Sequence, residues 1–213
     1  MPTPTRWASD TEPGHSRWMI EHFAALQAAG QDLAGEARFT DAVIAPRSTV
    51  LDAGCGNGRV ATALTDRGHL VTGVDADSEL IDDARRTNPH LRWILGDLTE
   101  LDLLLEAEPP FDAALLAGNV MPYLAAGTEL AVLRQLAAHV KPDGPVIIGF
   151  DTGLGYSLQD FDRHLSLAGL TIEQRFATWD LRPWSPEATF AVTIARLLPI
   201  PASADPGPSE RMR

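Results

Sequence analysis

The chain has 213 residues, of which 45% are hydrophobic and 22% charged, the proportions of a globular protein able to bury one core and too short for two ordinary domains. Its 17 basic and 29 acidic residues leave a formal charge of −12, a field that repels phosphate backbones and anionic bilayers, so neither nucleic acid nor a membrane is an expected partner. No apolar run approaches the roughly 20 residues that cross a bilayer, and the start MPTPTRWASDTEPGHSRW lacks the apolar centre of a signal peptide, so a cytoplasmic location is expected. The single cysteine, Cys55, excludes an internal disulfide and any Cys/His cluster with metal-ligand spacing, so no metal is expected.

Residues 1–13 and 199–213 are rich in Pro, Ser, Thr and Gly and cannot bury enough apolar surface to order themselves alone. Both ends are therefore expected to be flexible, leaving a single domain over 14–198. Within it, WMIEHFAALQAAG and ARFTDAVIA have helical spacing and make 14–46 a helical cap over the sheet or the site. Residues 48–53 read as a buried strand, 59–67 as a helix and 70–75 as the next strand. Ser78 is the expected N-cap of the helix in ELIDDARRTNP, which Pro89 helps to end. Residues 91–98, 111–118 and 145–151 read as further strands, with a helix over 128–140 that closes at the turn KPDG. After a short helix over 158–168, LTIEQRFATWDLRPW and FAVTIARLL are β-like runs joined by SPEA, a loop with no room for a crossover helix. The expected fold is α/β, a Rossmann-like doubly wound sheet of seven mostly parallel strands ending in a C-terminal antiparallel hairpin.

The stretch VLDAGCGNGRVATAL places Gly54, Gly56 and Gly58 at alternate positions between a strand and a helix. Bare backbone at a helix N-terminus, on the carboxyl edge of such a sheet, is where an open α/β fold binds a polar ligand. The dinucleotide pattern G-x-G-x-x-G does not fit, because its sixth place holds Arg59, and a nicotinamide oxidoreductase is disfavoured. The spacing is D-x-G-x-G-x-G from Asp52, and an acidic first residue suits a ligand amino group better than a pyrophosphate.

These residues resemble the class I S-adenosylmethionine-dependent methyltransferases, and the likeness runs through most of the chain. VLDAGCGNG, GVDADSELIDDAR and GDLTEL resemble the first three family motifs. FDAALLAGNVMPYL and VKPDGPVIIGF match the fourth strand and the turn into the fifth. The resemblance implies S-adenosyl-L-methionine as cofactor, with the glycine loop against its methionine part and Asp52 near its amino end. It implies Asp75 on both ribose hydroxyls, Ala76 beside the adenine, Asp97 accepting from the adenine amino group and the Leu98 N–H meeting the ring. The implied activity is methyl transfer to a small-molecule acceptor by in-line displacement; the alternative is a non-catalytic cofactor sensor or scaffold.

Asn119 follows the fourth strand, where a bound methyl group would be nearest, and serves as a candidate for cofactor, acceptor and catalysis alike. Base-directed methyltransferases carry a polar residue followed by Pro-Pro-aromatic there, whereas this chain reads GNVMPY, which with the acidic charge argues against nucleic-acid bases and for a small molecule, a protein acceptor being the other option. Candidate proton acceptors near the expected mouth are His15, His22, Tyr123 and Asp151. Trp179, Asp180, Arg182 and Trp184 lie at the expected hairpin turn, where Trp179 and Arg182 are candidates to line an acceptor pocket. Arg38 is a candidate for the cofactor carboxylate, and His15, Trp18 and the residues before them for a lid that excludes water.

Overall fold

A computed structural model describes residues 4–103 and 110–197. Seven strands form one sheet: β1 (Thr49–Ala53), β2 (Leu70–Asp75), β3 (Arg92–Leu95), β4 (Ala113–Leu116), β5 (Pro145–Asp151), β6 (Leu170–Phe176) and β7 (Phe190–Leu197), in spatial order β3-β2-β1-β4-β5-β7-β6. The first five pair in parallel, and β7 is antiparallel to both neighbours. The expected doubly wound sheet with its antiparallel end is the fold observed.

The central strands β4 and β5 are apolar runs buried along their length, as strands covered on both faces must be. Alternate side chains feed two cores. Leu51, Leu116, Ile148 and Phe150 pack with α6 (Val120–Tyr123), α7 (Glu129–His139) and α8 (Leu158–Leu167). Val50, Leu115 and Ile147 pack with α3 (Gly35–Val43), α4 (Arg59–Thr65) and α5 (Ser78–Thr87).

Several boundaries differ from the expected ones for local reasons. Asp77, not Ser78, caps α5, because its carboxylate accepts from the Glu79 and Leu80 N–H groups; Ser78 is the first helical residue. The strand expected over 91–98 stops at Leu95, and Asp97 accepts from the Thr99 N–H to open a short 3₁₀ turn, Leu98–Glu100. The closing hairpin is not joined by SPEA alone. Residues 177–189 connect β6 to β7, and an isolated bridge between Phe176 and Pro183 folds part of that loop back on the strand.

The segment expected to form a cap holds α2 (His15–Ala28) and α3. Ahead of it, α1 (Arg6–Asp10) gives defined structure to residues expected to lack it. α1 buries no residue and is held by other elements, through Trp7 to Asp77 and through Arg6 to the Pro122 carbonyl. The tail assigned to 199–213 lies outside the described residues. No helix among the described residues is long and apolar enough to cross a membrane.

Candidate active site

The strand order reverses between β1 and β4, and the crevice at the carboxyl ends of an open α/β sheet lies at such a switch point. A cavity of about 110 Å³ is found there, lined by Gly54, Gly56, Asp75, Ala76, Asp97, Leu98, Asn119 and Tyr123 of the expected site residues. Thr5, Trp7, Met19, Leu80, Gly118, Val120 and Leu124 complete the lining.

The glycine loop is built by close approach. Gly54, Gly56 and Gly58 all have positive φ, and a Cβ on Gly54 would stand 2.4 Å from Val120 Cγ2. Gly58 does not line the cavity: it is the N-cap of α4, and a Cβ there would meet the Trp93 ring at 2.3 Å.

Asp75, at the end of β2, ties this loop down. Its Oδ2 accepts from the Gly56 N–H at 2.8 Å and its Oδ1 from the Asp77 N–H at 2.9 Å. Burial pushes its pKa above the usual carboxylate value, opposed by those same N–H donors. Each carboxylate oxygen offers about two acceptor positions, so capacity remains for a ligand. Asp97 spends Oδ1 on the Thr99 N–H and hydroxyl, each at 2.8 Å.

Asp52 occupies a different place from the one its motif position suggests. It is buried under the loop on the α4 side of β1 and does not line the cavity. Its carboxylate stands below the first turn of α4, near the Ala61 N–H, and Oδ2 has no hydrogen-bond partner among the described residues. Gly58 has no side chain to cap α4, and that helix starts without a side-chain cap. Burial raises its pKa to about 7 despite the nearby Arg59 guanidinium.

Asn119 has φ 67° and accepts the Asp151 N–H on Oδ1 at 2.7 Å, fastening the end of β4 to the end of β5. Its side chain thus closes the strand ends while also facing the cavity. Tyr123 lines the cavity as well, but the other proton-acceptor candidates do not. His15 and His22 stack on either face of Trp18 along α2, at 5.3 and 4.9 Å. Asp151 turns its Oδ1 onto the Gly153 N–H at 2.7 Å.

The expected acceptor cluster is dispersed. Trp179 lies on the bare backbone of Gly149, where a Cβ would come within 2.2 Å of its ring, and packs edge-on to Phe39. Trp184 lies over the Arg175 guanidinium at 5.6 Å, and Arg182 and Asp180 are exposed. None of the four lines the cavity. Arg38 is paired with Asp32 at 2.6 Å on the surface, away from the cavity.

The lining carries two carboxylates and, among the described residues, no cationic side chain. A pyrophosphate would be repelled there, whereas the hydroxyl pair, amino groups and sulfonium cation of S-adenosylmethionine match the acceptors present. The residues fit that cofactor.

Comparison with known proteins agrees. A family model described as a methyltransferase domain matches residues 50–144. A solved structure of a TehB-like S-adenosylmethionine-dependent methyltransferase from Corynebacterium glutamicum is 37% identical, with a TM-score of 0.81 over 87% of this chain and 100% of that one. A dTDP-3-amino-3,6-dideoxy-alpha-D-glucopyranose N,N-dimethyltransferase of Streptomyces fradiae is 32% identical over 127 residues, 57% of this chain and 48% of that protein. The cypemycin N-terminal methyltransferase of a Streptomyces species is 33% identical over 104 residues, 47% of this chain and 40% of that protein. The chain thus spans about half the length of the curated relatives it matches.

Proposed function

Because the chain belongs to the S-adenosylmethionine-dependent methyltransferases, we propose that it methylates an amine nitrogen of a small organic molecule by in-line displacement. It is an enzyme with S-adenosylmethionine as cofactor. The observation that carries the reading is the convergence of Asp75, Asp97 and the glycine loop on one cavity at the sheet's switch point.

When bound, S-adenosylmethionine supplies an electrophilic methyl group on a sulfonium. Asp75 would hold the ribose hydroxyls with its remaining acceptor capacity, and Asp97 the adenine amino group with its second oxygen. Ala76 and the Leu98 N–H would flank the adenine, and Gly54 and Gly56 would lie against the methionine part. Asn119 and Tyr123 would border the acceptor at the end of β4. Alignment and exclusion of water supply most of the acceleration in such a transfer.

Nitrogen suits this lining. A neutral amine brings its own lone pair, whereas a hydroxyl acceptor needs a group to take its proton. Tyr123 is the one titratable lining residue, among those described, that the cofactor does not engage in this scheme. Two curated relatives are named for nitrogen acceptors, an amino sugar and a peptide N-terminus. The small-molecule choice follows the acidic net charge and the absence of a Pro-Pro-aromatic run after Asn119.

Incubation with methyl-labelled cofactor and a panel of amino sugars, aromatic amines and short peptides tests the reading. It expects label on nitrogen of a small amine, abolished by Gly54→Ala. Label confined to hydroxyl or thiol acceptors would reject it.

A further inference from the structure

The N-terminal helix α1 supplies part of the cavity wall. Trp7, on α1, lines both the cavity and a polar cleft on its outer side that is walled by Glu12, His15 and Asp77. The indole is therefore a partition between the two. It is fixed at three edges: Nε1 donates to Asp77 Oδ2 at 2.7 Å, and the ring meets Tyr123 edge-on at 5.6 Å and His15 at 4.7 Å.

Asp77 is placed to do this. Its backbone N–H is held by Asp75, its Oδ1 caps α5, and its Oδ2 accepts from both Trp7 and the Ser16 hydroxyl at 2.5 Å. The residue expected to hold the ribose and the residue that holds the indole thus share one turn. Small-molecule sites usually enclose about 300–1,000 Å³. The space beside the indole is about 110 Å³, so a nucleoside-sized ligand seated there would reach the Trp7 ring.

We propose, resting on the cofactor reading above, that Trp7 is a cofactor-binding residue that roofs the cavity, and that Asp77 is the positioning residue that holds it there. The roof sets how fast the cofactor product leaves and keeps water from the reacting atoms.

Dissociation of labelled S-adenosylhomocysteine, chased with excess unlabelled ligand, tests this without turnover, alongside calorimetric affinity and the melting temperature of the ligand-free protein. Trp7→Ala is expected to speed release and weaken binding by at least about tenfold, with little change in melting temperature because α1 buries no residue. Trp7→Phe keeps a ring and loses the N–H, and Asp77→Asn keeps an N-cap; each is expected to speed release about threefold to tenfold. The double variant should then be no faster than the faster single one. Native-like release from Trp7→Ala, or additive effects in the double variant, would overturn the proposal. Failure of the native protein to bind S-adenosylhomocysteine would instead reject the cofactor reading from which the roof follows.

Discussion

Asp75 Oδ2 accepts the Gly56 N–H at 2.8 Å, so the carboxylate that ends β2 holds the glycine loop that follows β1. A ligand bound between them is met by a loop already in place, which lowers the ordering cost of binding. Replacing Asp75 with Asn puts an amide N–H₂ against one of two backbone donors, Gly56 or Asp77. Hydrogen bonds to a charged group are worth about 1.5–3 kcal/mol, so Asp75→Asn is expected to weaken S-adenosylhomocysteine binding about 10- to 100-fold in calorimetry.

Gly54→Ala separates the close approach in the loop from ordinary glycine flexibility. At φ +76° the new Cβ is strained and stands 2.4 Å from Val120. Left-handed backbone and overpacking together predict a loss of about 3 kcal/mol. Gly68→Ala is the control, with a φ of +93° but nothing within 4 Å of the Cβ; it should cost about 1 kcal/mol and leave ligand affinity unchanged. Denaturant titration of both variants measures the difference.

Asp52 makes stability depend on pH in a defined direction. Its carboxyl titrates near 3.8 when unfolded and is raised by burial to about 7 in the fold. The native state therefore binds the proton more tightly, and the contribution is full below about pH 4 and lost as pH rises through about 7. At about 1.4 kcal/mol per unit the upper limit is ~4 kcal/mol. Asp32, Asp77, Asp112 and Asp160 shift downward and give slopes of the opposite sign at lower pH. The difference between native protein and Asp52→Asn isolates the residue: the variant should gain relative stability between pH 5 and pH 8.

Trp179→Ala distinguishes a core role from an acceptor role. The indole fills the space above Gly149 and packs against Phe39 and Phe190. Its loss is expected to cost about 3 kcal/mol in stability. At a temperature where the variant is folded, KM for the acceptor should be unchanged, as steady-state kinetics would show.

The sheet was legible because periodicity reports burial directly: β2 and β5 begin and end where apolar runs meet turn residues. So was the rim of the cavity, since Gly54, Gly56 and Asp97 follow strands, Asp75 ends one, and strand ends gather at one edge. Orientation was not legible. Asp52 and Trp179 sit at positions that read as functional, but the side chain of Asp52 points beneath the loop and that of Trp179 into a gap left by a glycine on a distant strand. Trp7 was legible only as one of the residues before His15 in a candidate lid and could not be singled out, because its segment has no apolar period and takes its order from Asp77, Pro122 and Tyr123 far along the chain. Val120 and Leu124 could have been found, since they continue directly from Asn119.

Amide hydrogen exchange of the full chain with and without S-adenosylhomocysteine reads the proposed ligand footprint directly. Slower exchange is expected at Gly54, Gly56, Asp77 and Leu98, with β6 and β7 unchanged. Unchanged exchange at these positions under saturating ligand, or protection confined to the β6–β7 loop, would contradict the assignment of this cavity.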